Sequence, residues 1–213
     1  MSGILDLLNS PMGKSIINGV AGQTNQPKSK TQDVLSMALP VLMAAMKRNA
    51  ATTQGADNLL GALSNKHDGS ILDNLSGLFG GGVDENVMDD GSKILGHVLG
   101  DRQSNVQNAL SKQSGINAGT IAQILKVAAP ILMGFLGSKA KQQNVNDKSG
   151  LESMLGGLLK GNSAQHEQSF LESILDANGD GSIMDDVAGM VLGGGTKKKG
   201  GLGGLLGGLL GGK

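Results

Sequence analysis

The stretches VLSMALPVLMAA, residues 34–45, and ILKVAAPILMGF, residues 124–135, follow one pattern, with Pro40 in the first standing where Pro130 stands in the second. Both are apolar on nearly every side of a helical period, which marks a buried helix rather than a half-exposed one. Proline inside a helix removes one backbone hydrogen bond and crowds the preceding turn, at about 3 kcal/mol. The reading is therefore a pair of kinked apolar central helices, each freed carbonyl sheltered by packing. Further on, DGSILDNLSGLFGGG (residues 68–82) is matched by DGSIMDDVAGMVLGGG (residues 180–195). The offset between copies moves from 90 to 112 residues, so the second copy has gained 22. LESML at 151–155, echoed by LESIL at 171–175, supplies part of them. Two collinear blocks point to an internal duplication.

Working outward, helical spacing recurs almost everywhere and alternation is scarce, so the fold class is all-α. Ile4, Leu5, Leu8 and Met12 share one face, and Ile16, Ile17 and Val20 follow past Pro11. Residues 23–30 read as a polar linker, with Thr31 or Asp33 capping a helix that runs to about Lys47. Helices are expected near 57–63, 71–79, 89–99, 102–112 and 117–137. After a polar run at 139–148, more are expected near 151–159, 167–175 and 183–191. This divides the chain into an N-terminal helical segment (1–26), a first helical module (31–100), a second module carrying a calcium-type turn (101–195), and a Gly/Leu tail (196–213).

The chain has 213 residues, with 18 basic and 18 acidic side chains that cancel. It carries no overall field toward nucleic acid or an anionic membrane. It has 36 glycines, no Trp or Tyr and only three Phe, so ten Met and the aliphatics must build the core. Modest stability follows, since large rigid aromatics are missing. The lack of cysteine excludes disulfides, thiolate chemistry and cysteine-held metal, and fits a reducing compartment. The N-terminus has no basic, apolar signal pattern, and the longest apolar runs, 34–46 and 121–136, fall short of a membrane span. A cytoplasmic location is expected.

Three stretches carry a family resemblance: ILDLLNSPMGKSIINGVAG (4–22), ILGHVLGDRQSNVQNALSKQSGI (94–116) and IAQILKVAAPILMGFLG (121–137). By these the chain resembles the bacterial family named domain of unknown function 937, which is YidB-like, over most of residues 1–195. The resemblance implies a helical bacterial protein and brings no established activity.

The sharpest candidate site is DANGDGSIMDDV, residues 176–187. Asp176, Asn178 and Asp180 stand at positions 1, 3 and 5 of a calcium-type loop, Gly181 allows the sharp turn, and the Ser182 carbonyl adds a ligand. Position 12, normally a bidentate Glu, is Val187, so Asp185 or Asp186 must substitute. A site lacking that acid should be weak, on the order of 10⁻⁴ M or poorer. The competing reading is a turn that caps a helix. The first copy keeps DGSILDN while Ser64 and Lys66 replace the earlier ligands.

LSKQSGINAGTIAQI (110–124) has helix-turn-helix spacing at Leu110, Gly115, Ile116, Ile121 and Ile124. Its second helix offers only Asn117, Thr120, Gln123 and Lys126 before running into apolar sequence, so helix packing is the favoured reading. His67, His97 and His166 stand alone, in no catalytic or metal motif, and no glycine cluster forms a phosphate loop. In the tail, Leu202, Leu205, Leu206, Leu209 and Leu210 share one helical face. Eight glycines between Gly200 and Gly212, each costing up to about 1 kcal/mol against Ala, oppose a helix in water.

These features predict a non-enzymatic protein without catalytic residues. Its role is that of a helical protein-binding or structural module, with self-association or a protein partner, a weak calcium site as its only cofactor, and no evident small-molecule substrate. The tail reads as a low-complexity extension without a partner, or as a segment that meets a membrane surface or an apolar groove. The alternative is a nucleic-acid-associated protein using residues 110–124.

Overall fold

The structure, a computed structural model, describes residues 4–160. The expected helices at 167–175 and 183–191, the calcium-type loop and the tail lie outside the described residues. Within them the chain is all-α, with no strand: α1 (Ile4–Asn9), α2 (Pro11–Thr24), α3 (Lys28–Asn49), α4 (Thr53–Asn65), α5 (Ser70–Asp73), α6 (Leu75–Phe79), α7 (Glu85–Leu99), α8 (Gln103–Ser114), α9 (Ala118–Gln142) and α10 (Lys148–Lys160). A 3-10 turn, Gly100–Arg102, joins α7 to α8.

Local chemistry sets the boundaries. Ser10 Oγ accepts from Gly13 N at 3.1 Å ahead of Pro11, and Thr52 Oγ1 accepts from Gly55 N at 3.0 Å. Asp84 caps α7 through Asn86 N (2.7 Å) and Asn117 caps α9 through Thr120 N (2.9 Å). Each such bond satisfies one of the amides a helix start leaves open. Gly115, at φ 71°, ends α8 in the left-handed conformation that favours glycine.

Several boundaries differ from the sequence reading. The linker shrinks to three residues, because Pro27 starts α3 at Lys28. Thr31 is consequently buried inside that helix, its Oγ1 donating to Pro27 O at 3.1 Å, and is no cap. Asp33 likewise lies within α3 and caps nothing. The helix expected at 71–79 divides at Asn74, whose Oδ1 accepts from Gly77 N at 3.1 Å and begins α6. The expected polar run at 139–148 begins inside α9, where Lys139 and Lys141 occupy the last turn and favour the negative helix end. Met12 leaves the apolar face expected for it and is 38% exposed, because Ser10 and Pro11 restart the helix.

The two long helices α3 and α9 lie at the centre, and both run unbroken through their buried prolines. Pro130 has no N–H to give the Lys126 carbonyl. Against that carbonyl packs Gly91 of α7, so closely that a methyl group on Gly91 would sit 1.8 Å from the oxygen. The α7–α9 contact is the most extensive in the fold. Farther along α9, Gly137 meets the carbonyls at the end of α4, where a methyl group would lie 1.7 Å from His67 O. One apolar cluster joins Ile4 to Leu158 through both long helices.

The helices around this pair are arranged reciprocally. α2 and α8 each touch both long helices, while α4 packs mainly on α9 and α10 mainly on α3. By length and composition α9 could cross a membrane, which the shorter run at 121–136 had not suggested; 72% of its most apolar window is buried inside this core.

Candidate functional site

The DGS turn at residues 68–70 opens a short helix. Asp68 Oδ1 accepts from Ser70 N at 3.1 Å and opens α5, and this bond lowers the Asp68 pKa. Gly69 stands at φ 107°, with its backbone against Ser138 of α9. Asp176, Asn178, Asp180, Ser182, Asp185 and Asp186 lie outside the described residues. Among the described residues no group of three His, Asp or Glu side chains is placed to hold a metal ion.

The helix-turn-helix spacing at 110–124 is present as α8, turn and α9. Leu110, Ile116, Ile121 and Ile124 are buried within it. Asn117 serves as the helix cap, and the Lys126 carbonyl lies under Gly91, so the second helix is committed to the core from its second turn.

The structure assembles a different site, a cleft of about 720 Å³ between the end of α3, α4, α7 and α9. Its apolar lining comes from Met46, Leu59, Ala62, Ile94, Val98 and Met133. Around this stand Arg48, Lys66 and Lys93 against a single acid, Asp90. Lys66 is bonded to Asp90, which leaves Arg48 and Lys93 as the excess positive charge. Nε and Nη1 of Arg48 are buried with no hydrogen-bond partner. Nearby, Asn49 closes the gap from α3 to α7, its Nδ2 donating to the carbonyls of His97 (3.0 Å) and Val98 (3.2 Å).

His67 and His97, far apart in sequence, both line this cleft. His67 is 8% exposed, with Nε2 3.6 Å from Asp90 Oδ2. Burial pushes its pKa below the ordinary 6.5; Asp90 opposes this and Lys66 adds to it. The imidazole is therefore neutral at pH 7, and its approach to Asp90 is a polar contact rather than an ion pair. His166 lies outside the described residues.

Sequence reasoning found neither the cleft nor Arg48, Lys66, Asp90 and Lys93. Arg48 stands on α3, Lys66 just past the end of α4, and Asp90 and Lys93 on α7, in no local motif, and only the packing of the helices gathers them. The family's sequence pattern, described as bacterial protein of unknown function (DUF937), matches residues 6–139.

The chain belongs to this family. Every residue lining the cleft falls within the part of the chain that the DUF937 pattern covers, whereas residues 176–187 and the tail fall beyond it. No curated protein and no solved structure matches the chain.

Proposed function

We propose that this DUF937 protein is a non-enzymatic, cytoplasmic binding protein that works through the cleft between α4 and α7. The supporting observation is a cavity of about 720 Å³ whose lining, apolar over most of its area, includes Arg48 with two guanidinium nitrogens that have no hydrogen-bond partner. Ligand sites are characteristically concave and mostly apolar, about 300–1,000 Å³ in volume, with a few polar groups that fix orientation. Apolar side chains that face water in a cleft of this kind are unfavourable for the free protein, and an apolar occupant relieves that exposure.

The test is titration of the full chain with a neutral dye that fluoresces in apolar surroundings, comparing wild type with Ala62→Phe, which fills the lining. Saturable fluorescence is expected in the wild type and its loss in a variant with an unchanged helical spectrum. Absence of binding in the wild type, or equal binding in both, would reject the cleft as the working site.

Calcium binding at Asp176, Asn178 and Asp180 is a separate proposal resting on sequence alone. Calorimetry should give weak heats that Asp180→Ala abolishes; no heat at millimolar calcium ends it. The nucleic-acid reading of residues 110–124 is not favoured, because the second helix buries Ile121, Ile124 and Leu125 and then every residue from Val127 to Gly137.

A further inference from the structure

We infer that the cleft holds an amphipathic carboxylate with a single aliphatic chain, its head on Arg48 and its chain along Met46, Leu59, Ile94 and Met133. The inference rests on the binding reading above and names the occupant. The head position follows from the charges around the cavity. Lys66 is already engaged by Asp90, and Lys93 is exposed at the rim, whereas Arg48 keeps two buried nitrogens with nothing to accept from them. A buried cationic donor without an acceptor is costly, and a carboxylate is the acceptor whose planar geometry suits a guanidinium.

A monoanion also fits the balance of charge better than a dianionic phosphate group, since Asp90 remains in the lining with the two histidines. The chain follows from the lining. At about 30 Å³ per molecule the cavity would hold about 24 waters, most of them against apolar side chains that give them no hydrogen bonds. An aliphatic chain displaces that water at no polar cost.

The experiment uses the full chain and three probes kept below micellar concentration: dodecanoate, dodecanol and acetate, each measured by calorimetry and by displacement of the neutral dye. Dodecanoate should bind about tenfold or more tightly than dodecanol, as one charge-assisted bond to a guanidinium provides, and acetate should not bind. Arg48→Gln should erase that preference while leaving dodecanol within about twofold, and Arg48→Lys should retain part of it. Ligand-free Arg48→Gln should also melt at or above the wild-type temperature, since an unpaired buried cation is removed. A purely structural arginine would give the opposite sign.

Equal affinity for dodecanoate and dodecanol, or a preference that survives Arg48→Gln, overturns the carboxylate while dye binding still upholds the cleft. Failure of the dye as well overturns both. Unchanged dodecanoate affinity in Ala62→Phe places the ligand elsewhere and also overturns the inference.

Discussion

At Gly91 there is no room for any side chain, because the Lys126 carbonyl freed by Pro130 occupies the space. Gly91→Ala should therefore destabilise the protein by about 1–3 kcal/mol, the usual cost of overpacking, despite alanine's better helix propensity. Gly96, in the same helix, has nothing within 4 Å of a Cβ, and Gly96→Ala should stabilise by up to about 1 kcal/mol. Urea denaturation of both variants checks the contrast; equal shifts would mean that the α7–α9 approach is not set by Gly91. His67 gives a second expectation. Its folded pKa lies below the unfolded value, so the unfolded chain binds the proton first as pH falls. The stability from neutral His67 is complete above pH 6.5 and is lost as pH drops from there through the lower folded pKa. Melting temperatures at pH 7.5 and 5.5 should fall more for wild type than for His67→Gln. Equal falls would show that His67 does not contribute in that window. Neither residue announced its role in sequence: Gly91 was one glycine among 36, and His67 belonged to no motif.

At the level of elements, the helices built on dense apolar sequence were legible, and so was the start of α9 beside Asn117, whereas α4 and α7, expected from 57 and 89, begin at Thr53 and Glu85 behind the polar caps Thr52 and Asp84. α3 and α9 were visible in the proline-bearing pair, and their uninterrupted course was not, since packing and not propensity decides whether a proline breaks a buried helix. The division at Asn74 had a visible signal, a side chain that competes with the helical backbone. The cleft was illegible because its residues come from different helices and share no spacing. Asn117 lets the two readings of residues 110–124 be separated. As a cap it should make Asn117→Ala cost about 1 kcal/mol of stability. A urea midpoint unmoved by the substitution would remove the cap from the account of α9.

For the whole molecule, the placement of α4 mainly on α9 and of α10 mainly on α3 ties the early and late parts of the described chain into one core. Lys148 Nζ also donates to Ala51 O at 2.5 Å, tying the start of α10 to the turn between α3 and α4. Residues 197–213 lie outside both the described residues and the DUF937 match. Deleting them should leave the melting temperature unchanged while abolishing self-association or binding to anionic liposomes. A full-length protein with neither property, or a truncated one that keeps both, reduces the tail to an extension.

Reciprocal packing also dictates when the protein can fold during synthesis. Residues 34–45 leave the ribosome 90 positions ahead of their counterparts at 124–135. At about 5–20 residues per second this is a wait of roughly 5–18 s, with an apolar helix waiting for its cover. The first half, released early, should draw chaperones until α9 emerges. The two halves made as separate chains should each be insoluble and should recover the helical core only when produced together.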